Sequence, residues 1–390
     1  MKHTLSYFLS AGLAFLNFFP LIAQVPSFHF EKETIDDIDI GYGLEIGDVD
    51  GDGTLDILLA DKKQFVWYEN GSWQKHVMVD NLTERDNVCL AARDINGDRQ
   101  VEVAVGAQWN PGETNDTHAS GSVHYLIRPE DPRQNWQAVQ LHHEPTIHRM
   151  RWIKTGQDDY KLIVVPLHGR GNKAGQGKGV KLMAYQMPDD PHELWDTTTV
   201  DQSMHMTHNF AVNDQQGDAS SFLVAGREGV NQFVYEGNDW HARRLEGLDQ
   251  PAGEISLGAL NGQSFITTIE PMHGNRLMLY RGEDFSKKTV LFDQMKQGHA
   301  LAAADVLNMG KDQIIVGWRE ANQEGKVGIK IFIPLDNQGE SWMHYFIDED
   351  GIACEDLKVA DLDDDGDLDI IAAGRATKNL NIYWNTEVNN

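Results

Sequence analysis

The stretch DLDDDGDLDIIAAG, residues 361 to 374, joins an acidic loop to an apolar strand. The same pattern occurs as DVDGDGTLDILLA at residues 48 to 60 and as DINGDRQVEVAVG at residues 94 to 106. An apolar strand also precedes each loop, so each copy is a hairpin with an acidic turn. Three copies in one chain indicate a repeated structural unit.

Four degenerate copies of this hairpin lie between the second and the third clear copy. They span residues 151–169, 208–226, 255–274 and 300–319. The seven units recur at a period of roughly 50 residues, which is typical of propellers and solenoids.

A third strand and an aromatic-bearing fourth strand follow each hairpin, as in FVWYEN and WQKHVMV between residues 65 and 79. Four strands make one propeller blade. The last unit ends at NLNIYWN (379–385) without a fourth strand, whereas FHFEKETI (28–35) is a strand without a blade. The sequence therefore predicts an all-β, seven-bladed propeller over residues 24–390, closed by the N-terminal strand. A β-solenoid or two sandwiches would leave these two ends unexplained.

The acidic loops carry the chemistry of a calcium site. In DxDxDGxxD, side-chain oxygens at positions 1, 3, 5 and 9 and a backbone carbonyl at 7 suit a hard cation. The alternative is three polar turns. We predict structural calcium, because ligation by protein alone leaves no position for a substrate. The predicted ligands are Asp48, Asp50, Asp52, Asp56, Asp94, Asn96, Asp98, Glu102, Asp361, Asp363, Asp365 and Asp369.

The N-terminus reads as a secretory signal peptide over residues 1–23. Lys2 is followed by an apolar run from Leu5 to Phe19 and by a small residue, Ala23, at the expected cleavage point. A membrane anchor is the alternative, but the run is shorter than the roughly 20 residues that a span needs. We expect an exported protein, periplasmic or extracellular.

Composition excludes several classes of partner. Lys and Arg number 33 against 60 Asp and Glu, a formal charge of -27, which opposes binding to nucleic acid or to an anionic membrane. The cysteines, Cys89 and Cys354, are too few for a disulfide framework and fall in non-adjacent repeats. We expect two free, buried thiols. The oligomeric state stays open.

A second set of residues belongs to the rim opposite the acidic loops. A hairpin places the start of its first strand and the end of its second strand on the same side. Five histidines from four repeats fall there, with arginines and tryptophans, and this convergence indicates a functional site rather than isolated structural residues. The set comprises His148, His168, His208, His273, His299, Arg170, Arg227, Arg319, Arg375, Glu270, Trp109 and Trp318.

Histidines act as bases, acids or metal ligands near neutral pH, and arginines bind carboxylates or enolates. We assign His168 as the base, with His148 in the catalytic set, and Arg227 and Arg319 to the enolate oxygens. We assign substrate binding to Trp109, Arg170, Trp318 and Arg375. The two tryptophans would stack against sugar rings.

His208, His273 and His299 form a candidate zinc set, with Glu270 as an extra ligand, since three imidazoles and an open position suit a catalytic zinc. Alternatively one of the three is the base and there is no second metal. Serine-hydrolase elbow, Walker, dinucleotide-binding and HExxH motifs are absent from the sequence. The glycine-rich segment 169–179 is interpreted as a flexible loop over this rim.

The repeats resemble FG-GAP, or VCBS, propeller blades, which implies the fold and calcium. MTHNF (206–210), IEPMHGN (269–275) and KQGHALAAADVLNMGKDQIIVGWR (296–319) are similar to the propeller domain of aldos-2-ulose dehydratases. We expect this resemblance to cover most of the mature chain. It implies metal-assisted dehydration of a keto-sugar such as 1,5-anhydrofructose, with a histidine base and a zinc-like ion.

Three functional hypotheses follow. The first is a secreted carbohydrate lyase of the dehydratase type, with a carbohydrate substrate. The second is a polysaccharide lyase or glycosidase acting on uronic-acid or rhamnose glycans, because β-elimination there needs the same base and cation. The third is a non-catalytic carbohydrate-binding or adhesion propeller, which would have an aromatic rim without converging titratable groups.

Overall fold

The computed structural model describes residues 27–214 and 219–387, so the predicted signal peptide (1–23) lies outside the described residues. Within these ranges the chain forms 28 β-strands in seven four-stranded antiparallel sheets. The described part contains no helix long and apolar enough to cross a membrane. The predicted seven-bladed propeller is confirmed.

Blades 1 to 3 each consist of four consecutive strands. Blade 1 contains β2 (Gly43–Gly47), β3 (Asp56–Ala60), β4 (Gln64–Glu69) and β5 (Gln74–Asp80). Blade 2 contains β6 (Cys89–Arg93), β7 (Glu102–Ala107), β8 (Ser122–Ile127) and β9 (Gln137–Gln140). Blade 3 contains β10 (Ile147–Lys154), β11 (Tyr160–Pro166), β12 (Leu182–Gln186) and β13 (Asp196–Asp201).

Blades 4 to 6 repeat this order. Blade 4 contains β14 (Thr207–Asn213), β15 (Ser221–Gly226), β16 (Gly229–Glu236) and β17 (Asp239–Arg244). Blade 5 contains β18 (Ile255–Leu260), β19 (Gln263–Glu270), β20 (Arg276–Arg281) and β21 (Lys287–Phe292). Blade 6 contains β22 (Gly298–Ala304), β23 (Gln313–Trp318), β24 (Gly328–Pro334) and β25 (Trp342–Glu349).

Blade 7 joins the two ends of the chain. It contains β26 (Cys354–Ala360), β27 (Asp369–Gly374) and β28 (Asn379–Glu387), and β1 (Phe28–Asp37) pairs antiparallel with β28 as the outer strand. Lys32 of β1 also forms an ion pair with Asp348 of blade 6 at 2.8 Å. Closure by the N-terminal strand is therefore confirmed, and β28 is not left as a free sheet edge.

The hydrophobic core is divided among the seven junctions between blades. One cluster combines Phe65 and Trp67 of blade 1 with Val103 and Val105 of blade 2, and a similar cluster occupies each junction around the ring. The first strands of adjacent blades contact one another around the central axis. Stability therefore depends on the closed ring, because each blade buries its faces against two neighbours.

The two cysteines are free and buried, as expected. They lie in blades 2 and 7, and burial raises the pKa of the Cys89 thiol to about 12. Both thiols are therefore protonated at neutral pH and behave as small core residues.

Candidate functional site

Four of the first strands carry a β-bulge close to their start, on the rim opposite the acidic loops. The ladder skips His148 in β10, His208 and Asn209 in β14, His299 in β22 and Glu355 in β26. A bulge releases a residue from regular pairing and redirects its side chain. The skipped positions are therefore where the propeller presents titratable groups, and we call this end the histidine rim.

His208, His273 and His299 converge on one point of the histidine rim, and we call them the histidine triad. They come from blades 4, 5 and 6, and their ligand nitrogens lie within 4.8 Å of one another. The Nε2 atoms of His208 and His273 are 2.5 Å apart. His273 lies in the turn after β19 with a left-handed backbone, φ 49°, which histidine adopts more readily than most residues.

Two rings of the triad have an oxygen atom close to Nδ1, hydrogen-bonded in His299 and in close contact without hydrogen-bond geometry in His208. His299 Nδ1 lies 2.6 Å from the Glu355 carbonyl oxygen, and His208 Nδ1 lies 2.9 Å from Glu254 Oε1. Each acceptor belongs to the next blade. With the proton on Nδ1, Nε2 keeps its lone pair, the arrangement of metal-binding histidines in proteins.

Burial favours the neutral form of two of the three rings, those of His273 and His299. It lowers the pKa of His273 to about 2, with further lowering by His208 and Arg319, and it lowers the pKa of His299 well below its ordinary value. Neutral imidazole is the form that coordinates a metal. Donor type, protonation and separation therefore fit a borderline cation such as zinc.

A row of rings extends the triad toward blade 2. Trp109 lies 5.1 Å from His148, and His148 lies 4.6 Å from His208, between ring centroids. His148 Nδ1 is 2.8 Å from the His208 carbonyl oxygen, and burial lowers the pKa of His148 well below its ordinary value. His148 thus packs against and positions His208, while the partly exposed Trp109 keeps the place expected for a sugar-binding face.

On the blade 7 side, the buried Glu355 carboxylate holds two arginines. Arg319 Nη1 lies 3.0 and 2.9 Å from its two oxygens, and Arg375 Nη1 lies 2.9 Å from Oε1. Arg319 also donates to Gln297 Oε1 at 3.1 Å. Two of the arginines expected on this rim are therefore fixed next to the histidine triad.

The remaining arginines hold loops. Arg227 donates to the Ala174 carbonyl oxygen at 2.7 Å, and Arg170 forms an ion pair with Glu144 at 2.8 Å. The glycine-rich segment 169–179 is anchored by Asn172, which is buried and donates to the carbonyl oxygens of Lys178 and His205. The Arg227 guanidinium group thus contacts this segment, and its assignment to the enolate stays a prediction.

His168 follows β11 at the base of the same segment. Its backbone N–H donates to Thr146 Oγ1 at 3.0 Å, and it forms an isolated antiparallel β-bridge with Met206, just before β14. Its Nδ1 is buried and has no hydrogen-bond partner among the described residues, and burial lowers its pKa. His168 is therefore a neutral imidazole on the histidine rim, as a base requires.

Two expected site residues have their side chains in the core instead of in the site. Trp318 is fully buried between Phe292 and Phe346, at the junction of blades 5 and 6, and cannot offer a face to a sugar. The Glu270 carboxylate accepts hydrogen bonds from Thr268 and Tyr280 within blade 5. Both end a second strand, and the alternation of side chains along that strand turns them into the core.

Three residues beside the triad were missed by sequence reasoning: Glu254, Glu355 and Arg149. Glu254 is the buried carboxylate next to His208, and Arg149 is buried beside His148. All three lie at or directly before the start of a first strand. Aligning the repeats by that position, rather than searching for histidines, would have found them.

At the opposite end, two of the three acidic loops form carboxylate clusters. Asp48, Asp50 and Asp56 form one, and Asp361 and Asp363 form the other with Asp365. Burial raises the pKa of Asp56 to about 7. Asp361 Oδ1 is buried without a hydrogen-bond partner in the described part of the chain.

The loop at residues 94–102 differs from these two. Its Asn96 side-chain nitrogen donates to Glu102 at 2.9 Å, and Asp98 forms an ion pair with Arg128 at 3.2 Å. Two of its predicted ligands therefore already have partners, and Asp50 in the first loop is similarly paired with Arg133 at 3.1 Å. Asp52 in the first loop likewise accepts hydrogen bonds from Thr54.

A polar cavity of about 560 Å³ runs along the axis between the two ends. Glu254 and Asn209 line this cavity. Glu45, Arg151 and Lys358 also line it and form ion pairs, with Glu45 Oε1 2.7 Å from Arg151 and 3.0 Å from Lys358. The histidine triad and the acidic loops are thus at opposite ends of one propeller.

Comparisons with known proteins agree with this geometry. Residues 120–283 match the family model "Aldos-2-ulose dehydratase, beta-propeller domain". Residues 48–105 match "FG-GAP-like repeat". Both resemblances expected from the sequence are confirmed, although the dehydratase match is shorter than the expected coverage of most of the mature chain. It includes His148, His168, His208 and His273 and ends before His299.

A curated relative is the aldos-2-ulose dehydratase of Phanerodontia chrysosporium. It is 27% identical over 179 residues, which cover 41% of this chain and 19% of that protein. The match thus spans about a fifth of the relative's length.

Solved structures share the fold alone. BBS1N in complex with ARL6DN has a TM-score of 0.56 at 13% identity, covering 93% of this chain and 98% of that one. A chain of the mitotic checkpoint complex has the same TM-score at 9% identity, with 98% of each chain covered. Because propellers with this fold occur in such different complexes, the function of this protein must be argued from its site.

Proposed function

We propose that this protein is a secreted carbohydrate lyase that eliminates water from a keto-sugar such as an anhydrofructose, assisted by a zinc-like ion at His208, His273 and His299. The observation that carries the proposal is the convergence of three imidazoles from three blades, with their ligand nitrogens within 4.8 Å of one another. The similarity to a dehydratase propeller gives the reaction class.

The reaction removes a proton from the carbon next to a carbonyl group and expels a hydroxyl group from the following carbon. The C–H electron pair forms the new double bond, and the leaving oxygen takes a proton and departs as water. A divalent ion at the triad would supply charge stabilisation for the enolate oxygen. The proton acceptor must be an uncharged base close by.

The chain's own groups divide this work. His168, whose pKa is lowered by burial, is the proposed base and takes the proton. Arg319, fixed by Glu355 and Gln297, places a positive charge next to the triad. Trp109 supplies an apolar face for a sugar ring. Because these partners are already in position, little reorganisation accompanies the reaction.

Structural calcium is a separate part of the proposal. The loops at 48–56 and 361–369 bring like-charged carboxylates together, which is costly unless a cation neutralises them. Their oxygen ligands suit calcium, and their position away from the histidine rim gives these ions a stabilising role.

The test is zinc content and turnover in the single variants His208→Ala, His273→Ala and His299→Ala, with the matched control His241→Ala on the exposed face of β17. Elemental analysis should find zinc in the native protein and the control, and little in the three variants. The unsaturated product of anhydrofructose absorbs in the ultraviolet. Its rate of formation should fall at least about 100-fold, since a catalytic ion contributes several kcal/mol.

Circular dichroism should remain β-dominated in all four variants, and His208→Gln provides a variant closer in volume. Native turnover in the three alanine variants would contradict the assignment of the active site. Zinc binding without turnover of anhydrofructose would keep the metal site but not the substrate. A lyase for uronic-acid glycans would then be favoured, which the positive charge near blade 7 independently supports.

A further inference from the structure

A second cavity on the histidine rim lies between blades 6, 7 and 1. Its volume is about 560 Å³, and we call it the arginine cavity. Arg319 and Arg375 line it where they leave β23 and β27, and Lys62 and Lys378 line it from neighbouring turns. It is distinct from the axial cavity, whose lining shares none of these residues.

The arginine cavity is positively charged on a strongly acidic protein. Four cationic side chains line it against two acidic ones, Asp39 and Glu320. Arg319 and Arg375 both donate hydrogen bonds to the single carboxylate of Glu355 behind the cavity. These three groups therefore carry a net charge of one positive unit. A local positive field in a chain of charge -27 is the opposite of what composition alone would give.

The two arginines are also held in place, whereas Lys62 and Lys378 are exposed. Arg319 bonds to Glu355 and to Gln297, and the Arg375 guanidinium lies 5.1 Å from the centre of the Tyr42 ring. Fixed guanidinium groups lose little side-chain entropy on binding an anion and match the planar geometry of a carboxylate. This distinguishes the cavity from a patch of mobile surface lysines.

Glu355 connects the arginine cavity to the histidine triad. Its Oε1 contacts Arg319 and Arg375 and lies 4.0 Å from His299 Nε2, while its backbone carbonyl accepts from His299 Nδ1. A sugar bound at the triad therefore has the arginines beside it, close enough for one ligand to contact both.

We propose that the arginine cavity binds an anionic substituent, a carboxylate or a sulfate ester, on a sugar held at the histidine triad. The proposal rests on the proposed function and specifies its preferred substrate as a keto-sugar that carries an acidic substituent, with neutral anhydrofructose as a weaker-binding analogue. A neutral sugar gains nothing from the fixed guanidinium groups, whereas an anion gains charge-assisted hydrogen bonds. The acidic surface elsewhere repels long polyanions, which favours a short chain or a single unit.

The experiment is calorimetric titration of the full-length, zinc-loaded protein with four probes: D-glucuronate, D-glucose 6-sulfate, methyl glucoside and inorganic sulfate. We expect at least one acidic sugar to bind about tenfold more tightly than methyl glucoside, because a hydrogen bond to a charged group is worth that factor or more. The ranking of glucuronate against the sugar sulfate identifies the anion. Inorganic sulfate should bind more weakly than either sugar.

Two variants test the location. Arg375→Gln and the double variant Lys62→Gln/Lys378→Gln should each reduce the preference for the acidic sugar, the former by about tenfold. Affinity for methyl glucoside should stay unchanged. Arg276→Gln, an exposed arginine at the start of β20, is the matched control and should keep the preference. If Arg375→Gln does not fold, the lysine pair carries the test.

Equal affinity for acidic and neutral sugars, or a preference that survives both variants, overturns the proposal. Inorganic sulfate binding as tightly as the sugar sulfate also overturns it, because the site would then hold free anions only. Zinc content and anhydrofructose turnover are measured on the same samples. If the native protein binds zinc and turns over anhydrofructose but shows no preference for the acidic sugars, the subsite alone is refuted. Absence of both zinc and turnover in the native protein refutes the proposed function.

Discussion

Each end of the propeller brings chemically similar side chains close together, carboxylates at one end and imidazoles at the other, but the two groups are assembled differently. At the acidic end, Asp361 and Asp363 come from one loop of one blade, whereas at the histidine rim His208 and His299 come from different blades. Burial favours the uncharged form at both ends. It raises the pKa of Asp369 to about 6 and lowers that of His273 to about 2.

This difference teaches how one repeat supports two kinds of site. A loop site is complete within a single hairpin, so it can be read from a short stretch of sequence and repeated. The histidine triad exists only when blades 4, 5 and 6 are packed in the ring, because each blade contributes one nitrogen. Oxygen donors suit calcium, and neutral imidazoles suit zinc.

The comparison is tested most strongly at Glu254. Glu254→Gln removes the charge beside His208 Nδ1, and such partners of metal-binding histidines are worth about 10- to 100-fold in metal affinity. Zinc affinity, measured by competition with a chromogenic chelator, should fall by that factor. Glu270→Gln, another buried glutamate, is the control and should leave it unchanged, because Glu270 faces Tyr280. The reverse result would restore Glu270 as the residue that serves the metal.

A smaller effect is expected at the acidic loops, where the three copies should differ. Calcium at ten times its Kd adds about 1.4 kcal/mol per site, a few degrees in Tm. Asp363→Asn should remove most of the gain from its loop, because Asp361 Oδ1 next to it is buried and unpartnered among the described residues. Asp98→Asn should have little effect, because Arg128 already pairs with Asp98.

Scanning calorimetry with and without calcium measures these differences. If the variants of all three loops lost the same calcium-dependent increase in Tm, the contacts of Asn96 and Asp98 would not weaken calcium binding by the second loop. Zinc content should be unchanged in every loop variant, since the histidine rim lies at the other end.

A further test of the acidic end is the pH dependence of the calcium-free protein. Burial raises the pKa of Asp56 and of Glu102 to about 7, above the unfolded values near 4. The folded state therefore binds more protons than the unfolded state between about pH 4 and 7. This contribution to stability is complete below pH 4 and is lost as pH rises through 7.

With calcium chelated, Tm should thus fall from pH 5 to pH 8, because each group loses about 1.4 kcal/mol of its contribution per pH unit while it is protonated only in the folded state. Asp56→Asn, which cannot ionise, should show a flatter profile. Saturating calcium should remove the decline, because the ion favours the ionised carboxylates. A Tm that rises with pH in the chelated protein would contradict burial as the dominant influence on these groups.

Sequence patterns predicted the blades because each blade is encoded locally. The acidic loop, the apolar strands and the aromatic fourth strand all lie within one repeat, and the unmatched strand at residues 28–35 indicated the closure that β1 and β28 form. The rim was also predictable, since strand direction alone separates the two ends of a hairpin. His208, His273 and His299 were therefore assigned together from sequence, and the structure brings them together.

The orientation of individual side chains was decided by tertiary structure. Trp318 and Glu270 end second strands on the correct rim, yet the pleat directs both into the core. Glu254 and Glu355 have no local motif, and their roles arise because bulges and neighbouring blades bring them to His208 and His299. Sequence determines which residues a repeat carries to each end, whereas the packing of one blade against the next determines which of them meet.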